Sequence, residues 1–269
     1  AAEGGAYGNI NFYELYSWSS GRSGSDLSGS DLSGSTLAAE GGEYGSINFK
    51  HANLTNADLS GSTLAAEGLG DDGESPNSQI INFRYADLAN ADLSGSNIAA
   101  KGVGDDGEIT FREANLAHAD LSGSTLAAEG GIDGYIEFSY ADLANTDLSG
   151  SNIAAKGVGD EAEINFYKAN LANADLSGST LAAEGGIDGK IDFSYADLAN
   201  TDLSGSTLAA KGVGFDGEIT FREANLAHAD LSGSTLAAEG GAFVKIDFSY
   251  ADLAKADLSG STLAAKSRD

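Results

Sequence analysis

Asp58, Asp92, Asp120, Asp147, Asp175, Asp202, Asp230 and Asp257 each open the triplet Asp-Leu-Ser, and from Asp92 onward the intervals are 28, 27, 28, 27, 28 and 27 residues. A carboxylate that recurs so regularly is brought into a row by any fold that repeats with the sequence. At one strand spacing, about 4.8 Å, neighbouring charges repel by roughly 1 kcal/mol per pair even at the dielectric constant of water. Two kinds of chemistry relieve that repulsion. Each Asp can accept backbone N–H groups at a turn, or the row can bind cations, with calcium the leading candidate. The loops GDDGE (104–108), GIDGY (131–135) and GFDGE (214–218) add further carboxylates. None spells an EF-hand, and GGIDGYIEF departs from G-G-x-G-x-D at its fourth position.

A second charged series alternates in sign: Glu67, Lys101, Glu129, Lys156, Glu184, Lys211, Glu239, Lys266. In a stacked fold these residues form favourable pairs between neighbouring turns of the chain. A third series alternates Asp and Asn through Asp87, Asn115, Asp142, Asn170, Asp197, Asn225 and Asp252. It spaces its carboxylates two repeats apart. Catalysis finds no footing. His51, His118 and His228 have no cysteine partners, because the chain contains no cysteine, and His118 and His228 stand where other copies mostly carry Asn. The serines recur throughout and form no Ser/His/Asp set unique to one place. The chain is therefore not expected to be an enzyme, and it carries no candidate catalytic or cofactor-binding residue.

The repeat itself positions these groups. Units aligned on Ala-Ala-Glu/Lys-Gly begin at Ala38, Ala65, Ala99, Ala127, Ala154, Ala182, Ala209 and Ala237. Within a unit the spacing is five, as in IDFSY-ADLAN-TDLSG-STLAA (191–210), whose centres are Phe193, Leu198, Leu203 and Leu208. Two positions before each centre stands Ile191, Ala196, Thr201 or Ser206. A period of five fits neither the amphipathic helix nor a strictly alternating strand. Residues i and i+2 of an extended segment share a face, so the centre and its partner point inward, while Ser and Gly after each centre suit a tight corner.

This pattern resembles the pentapeptide-repeat family, whose signature is A-(D/N)-L-x-x in tandem, over essentially the whole chain. The resemblance implies an all-β, right-handed quadrilateral solenoid with one pentad per face. The expected rod has about nine coils of 27–28 residues, each burying about four large apolar side chains worth ~1.5–3 kcal/mol apiece. Each unit exceeds four pentads by seven or eight residues (EGGIDGK or KGVGFDGE), expected to make an extended fifth side or a bulging corner. Three regions follow: an atypical N-terminal repeat or cap (1–37), eight regular coils (38–263) and a short tail (264–269).

Composition narrows the partners. With 41 acidic and 14 basic residues the net charge is −27, so phosphate backbones are repelled and nucleic acid is not expected as a partner. No apolar run approaches the roughly 20 residues that span a bilayer. The chain begins Ala1-Ala2-Glu3 without Met, which suggests a processed product and an extracellular or cell-surface location. STLAAKSRD at one end and AAEGGAYG at the other are in phase with the repeat. The expected function is structural: copies stack head to tail into a filament, each the partner of the next. The junction is expected to involve Phe12, Tyr13, Trp18, Leu263 and Lys266, with the irregular segment 13–24 as an alternative cap. Two alternatives stand beside it. One is an acidic mimic of DNA that inhibits a type II topoisomerase, which the family resemblance brings in. The other is ice binding through Thr63, Asn97, Thr125 and their counterparts. No cofactor is expected apart from possible calcium.

Overall fold

The computed structural model describes residues 2–3, 7–12, 24–41, 44–68, 79–104 and 106–267. All regular structure among them is β, and no described helix is long and apolar enough to cross a membrane. Two parallel sheets run the length of the molecule. One holds ten strands, from Ala2–Glu3 through Thr36–Gly41 to Thr262–Ser267, and reads Thr/Asn-Leu/Ile-Ala-Ala-Glu/Lys-Gly in its internal strands. The other holds nine, from Tyr7–Asn11 to Phe243–Asp247, and carries the Ile of each Ile-x-Phe. Strands of the two sheets alternate along the chain, so each coil contributes one to each. Two further faces are narrower, each pairing with the next coil through single bridges such as Asp87↔Asn115 and Asp92↔Asp120. The four-sided solenoid expected from the pentads is the observed architecture.

Identical residues stack because every pairing keeps the repeat in register, as in Leu181↔Leu208 and Ala183↔Ala210. Nine phenylalanines, Phe12 to Phe248, form one internal column with ring centroids 4.6–5.0 Å apart and planes within 5° of parallel. Three Leu/Ile columns fill the other sides, and Ile47, Ile81, Ile109 and their successors add a fifth large apolar residue per coil, one more than the pentad centres alone suggest. Corners are closed by four-residue turns in which the residue two after the centre is left-handed. Ser124 N–H, for example, donates to the Leu121 carbonyl at 3.1 Å, with Gly123 at φ 61°. At the other corners Asn, His, Tyr, Glu or Lys takes this conformation, which Asn and His tolerate better than most residues. His118 and His228 are therefore corner residues.

The extra seven or eight residues form neither a separate fifth side nor a bulge. They prolong both sheets beyond the square, so that the two lie back to back as a flange with almost no side chains between them. A Cβ at Gly134 or Gly189 would collide with the backbone of Lys156 or Lys211 on the opposing sheet. One at Gly185 would strike the carbonyl of Asp188. Glycine at these columns is thus a packing requirement. The long N-terminal unit closes in the same way as the others: Ser25 N–H donates to the Phe12 carbonyl at 2.8 Å, as Ala52 does to Phe49. Tyr13 and Trp18, with the rest of 13–23, lie outside the described residues, as does the segment around Pro76.

Two kinds of truncation separate the square core from the flange. Phe166→Ala opens a gap between two stacked rings and is expected to lower stability by about 3–5 kcal/mol. Gly185→Ala overfills the flange and is expected to cost about 1–3 kcal/mol. Denaturant unfolding checks both, and a Gly185→Ala variant as stable as the parent would refute the back-to-back packing.

Candidate functional site: the charged ladders

Each Asp of the recurring Asp-Leu-Ser series takes the same role. Its Oδ1 accepts the backbone N–H of the residue two further on, at 2.8–2.9 Å, from Asp58 with Ser60 to Asp257 with Ser259. At Asp257 this bond, with one from the Ser259 side chain, holds the carboxyl below its usual range. Turn capping, the simpler of the two expectations, thus accounts for one oxygen of every carboxylate. Among the described residues no group of three or more His, Cys, Asp or Glu is arranged to hold a metal ion.

The Asp/Asn series does more than dilute charge. Asn115, Asn170 and Asn225 each donate Nδ2–H to Oδ1 of Asp87, Asp142 and Asp197 in the preceding coil, at 2.9–3.0 Å. The Glu/Lys series is in register as expected, with Glu67↔Lys101, Lys101↔Glu129, Glu129↔Lys156, Lys156↔Glu184, Glu184↔Lys211, Lys211↔Glu239 and Glu239↔Lys266 as direct partners. Most of these side chains are exposed, so the series sets opposite charges side by side on the surface of this sheet.

The sequence reading missed a stronger ladder on the outer face of the Ile-x-Phe sheet. Its successive members are Glu108, Tyr135, Glu163, Lys190, Glu218 and Lys245. Every second member is a donor held between acids. The Tyr135 hydroxyl donates to Asp133 at 2.9 Å and contacts Glu161 at 3.2 Å. The Lys190 ammonium lies 3.2 Å from Glu163 and 2.7 Å from Asp192, and Lys245 lies 3.0 Å from Glu218 and 3.7 Å from Asp247. Burial disfavours the Lys190 ammonium, but Glu163 and Asp192 outweigh it and raise its pKa. Burial, followed by the bond to Asp133, raises that of Tyr135. Glu108 has no such donor. Burial raises its pKa and nearby Glu137 adds to this, against Arg84. The signal was available in the alternation of Tyr/Lys with Glu immediately before the Ile of each Ile-x-Phe, three residues before the Phe.

A model of the family described as pentapeptide repeats (8 copies) matches residues 46–65. No curated protein matches the chain. Among solved structures, HetL, a pentapeptide repeat protein involved in heterocyst differentiation regulation from the cyanobacterium Nostoc sp. strain PCC 7120, is 19% identical over 88% of this chain and 89% of its own, with a TM-score of 0.43. Full-length QnrB1, a plasmid-mediated fluoroquinolone resistance protein, is 15% identical over 88% and 91%, with a TM-score of 0.26. Rfr23 from the cyanobacterium Cyanothece 51142 is 16% identical over 88% and 86%, with a TM-score of 0.15.

Two substitutions test the outer ladder. Glu108 is easier to protonate in the folded chain than in the unfolded one. Its ionisation therefore removes stability as pH rises from the ordinary glutamate range through the raised folded value. Glu108→Gln is expected to melt a few degrees above the parent near neutral pH, with the gap closing by about pH 4; a gap independent of pH would remove the ionisation argument. Lys190→Met leaves Glu163 and Asp192 facing each other without their cation, and chemical denaturation is expected to show a loss of about 1–3 kcal/mol.

Proposed function

The chain belongs to the pentapeptide-repeat family, and from that premise we propose that it is a structural, non-catalytic subunit whose copies stack head to tail. One observation carries this reading. In the coil ending at Ser267, Leu253 and Leu263 are 37% and 45% exposed, whereas their counterparts one coil earlier, Leu226 and Leu236, are 0% and 1% exposed. Phe248 and Leu258 of the same coil are only partly covered. At the opposite face Phe12, Leu27, Leu32 and Leu37 are likewise partly covered. Both faces thus present one Phe and three Leu in the same four columns. A second copy continues each column and sets Ile246 on Ile10; its edge strand Thr262–Ser267 then takes the place beside Thr36–Gly41 that Ala2–Glu3 fills in the single chain, so those two residues must give way. In that register Lys266 faces Glu40, an opposite charge. Unpaired sheet edges of this length invite such addition, and a heterologous contact that does not close extends into a fibre.

In this proposal Phe12, Leu263 and Lys266 are residues of the junction. The DNA-mimic reading gains less from the geometry, because Lys101, Lys156 and Lys211 interrupt the carboxylate row. Sedimentation velocity over a concentration series, with negative-stain microscopy, tests the proposal. Assemblies that lengthen with concentration are expected, unchanged by a chelator because each Asp of the acidic column already caps a turn. Leu263→Lys and Leu32→Lys, on opposite faces, are each expected to yield monomers. A parent chain that stays monomeric at every concentration would falsify the proposal.

A further inference from the structure

Along the outer margin of the flange runs a row of apolar side chains that the interior does not use. Val103, Ile132, Val158, Ile187, Val213 and Phe243 come from successive coils and are 58, 43, 68, 41, 58 and 63% exposed. Phe215 joins them, 47% exposed, with its ring 5.2 Å from that of Phe243. Most other outward columns are dominated by Asp, Asn, Ser, Thr, Glu and Lys, and the exposed Tyr85, Tyr140, Tyr195 and Tyr250 alternate with Glu113, Lys168 and Glu223, so the uninterrupted apolar row stands apart. The loops that carry them are fixed to their neighbours. Val158 and Val213 N–H donate to the carbonyls of Gly130 and Gly185 at 3.2 Å, and Gly159 and Phe215 N–H to those of Ile132 and Ile187 at 3.0 Å. Glycine packing holds them as well: a Cβ at Gly131 or Gly186 would meet the carbonyl of Val103 or Val158. Five coil steps give the ridge a length of about 24 Å. A contiguous apolar surface on a rigid frame marks an interaction site.

The charges beside the ridge decide what fits it. On one flank Asp133, Glu161, Asp188 and Asp216 stand next to it in the same loops, whereas Glu163 and Glu218 of the adjoining groove are already paired with Lys190 and Lys245. On the other flank Lys101 and Lys156 alternate with Glu129, so the acidic side is the one formed by the loop carboxylates. Two copies meeting ridge to ridge bring these carboxylates together on chains of net charge −27. Anionic bilayers and nucleic acid meet the same repulsion. The complement is apolar along its centre and cationic along the edge that meets the loop carboxylates, and a helix of about 16 residues spans the ridge. We propose that the flange margin docks a basic amphipathic helix of another protein, its apolar stripe on the Val/Ile row and its Lys or Arg side chains toward the carboxylates.

A synthetic helix of about 16 residues, with Leu on one face and Lys on the other, tests this by fluorescence anisotropy on the full chain. Binding is expected, and Val158→Asp with Val213→Asp is expected to weaken it at least about tenfold. Because that pair alters the shape of the ridge, Glu161→Gln with Asp188→Asn provides a second arm. It keeps the bond from the Asp216 N–H to residue 188 and is expected to weaken binding while reducing its salt dependence. The proposal is overturned if the peptide fails to bind, if the Val158/Val213 variant binds equally well, or if a peptide with Glu in place of Lys binds as tightly. It is also overturned if those Val substitutions dissolve a side-by-side dimer, which assigns the ridge to a second copy. Head-to-tail growth is measured on the end-face variants, so either result stands without the other.

Discussion

Every residue in this solenoid has its own counterpart less than 5 Å away, and each side chain must therefore be compatible with copies of itself. Phenylalanine meets that condition by lying flat, ring on ring, at the coil spacing. Leu, Ile, Ala and Gly meet it without adjustment. Those columns repeat with a period of one coil. Carboxylates do not meet it, and each acidic column carries a separate remedy. The Asp-Leu-Ser column turns each carboxylate onto its own turn. The neighbouring column inserts Asn as a donor to the Asp before it. The outer face of the Ile-x-Phe sheet inserts Tyr or Lys between glutamates. The period of two coils is thus a property of the charged columns.

The flange follows from the same constraint. A coil of four pentads has room inside for one large and one smaller residue per side. Prolonging two sides past the corner leaves two backbones facing each other, and the column between them is mostly Gly, with Ala162 and, in the last described coil, Val244 among the departures. Gly134, Gly189 and Gly217 stand on one sheet opposite Lys156, Lys211 and Glu239 on the other. Ala162 shows that the column admits a methyl group in one coil. The alternating unit length has a local cause: the loop after each Lys, as in KGVGFDG, is one residue longer than the loop after each Glu, as in EGGIDG.

Much of this was legible in the sequence because a five-residue period with a central Leu or Phe has few geometric solutions. The internal columns, the register of the Glu/Lys series and the four-sided cross-section all follow from it. The flange did not, because pentads describe one face at a time. A glycine column that exists to let two sheets touch becomes visible only once both are placed. The ladder from Glu108 to Lys245 was hidden for a related reason: its members lie in the stretch that departs from the pentad pattern. Donor and acceptor are paired there only after stacking brings residues 26–28 positions apart into contact. The same holds for Asn170 and Asp142, whose bond gave a chemical reason for an alternation first attributed to charge dilution alone.

Saturation of the ladders also decides where specificity can reside. On the square faces the capped and paired carboxylates repeat coil by coil, and the surface is nearly uniform along the rod, so no position there distinguishes one ligand from another. Two regions escape this. The first and last described coils expose columns that internal coils cover, and the flange margin exposes side chains that no described coil covers. Both are held by continuous backbone ladders, so docking on either demands little ordering of this chain, and the conformational cost of association falls on the partner. The two proposed contacts thus lie in different directions on a repetitive frame, one along its axis and one across it. The spacing of any partners bound along its margin is set by the same coil repeat that builds the core.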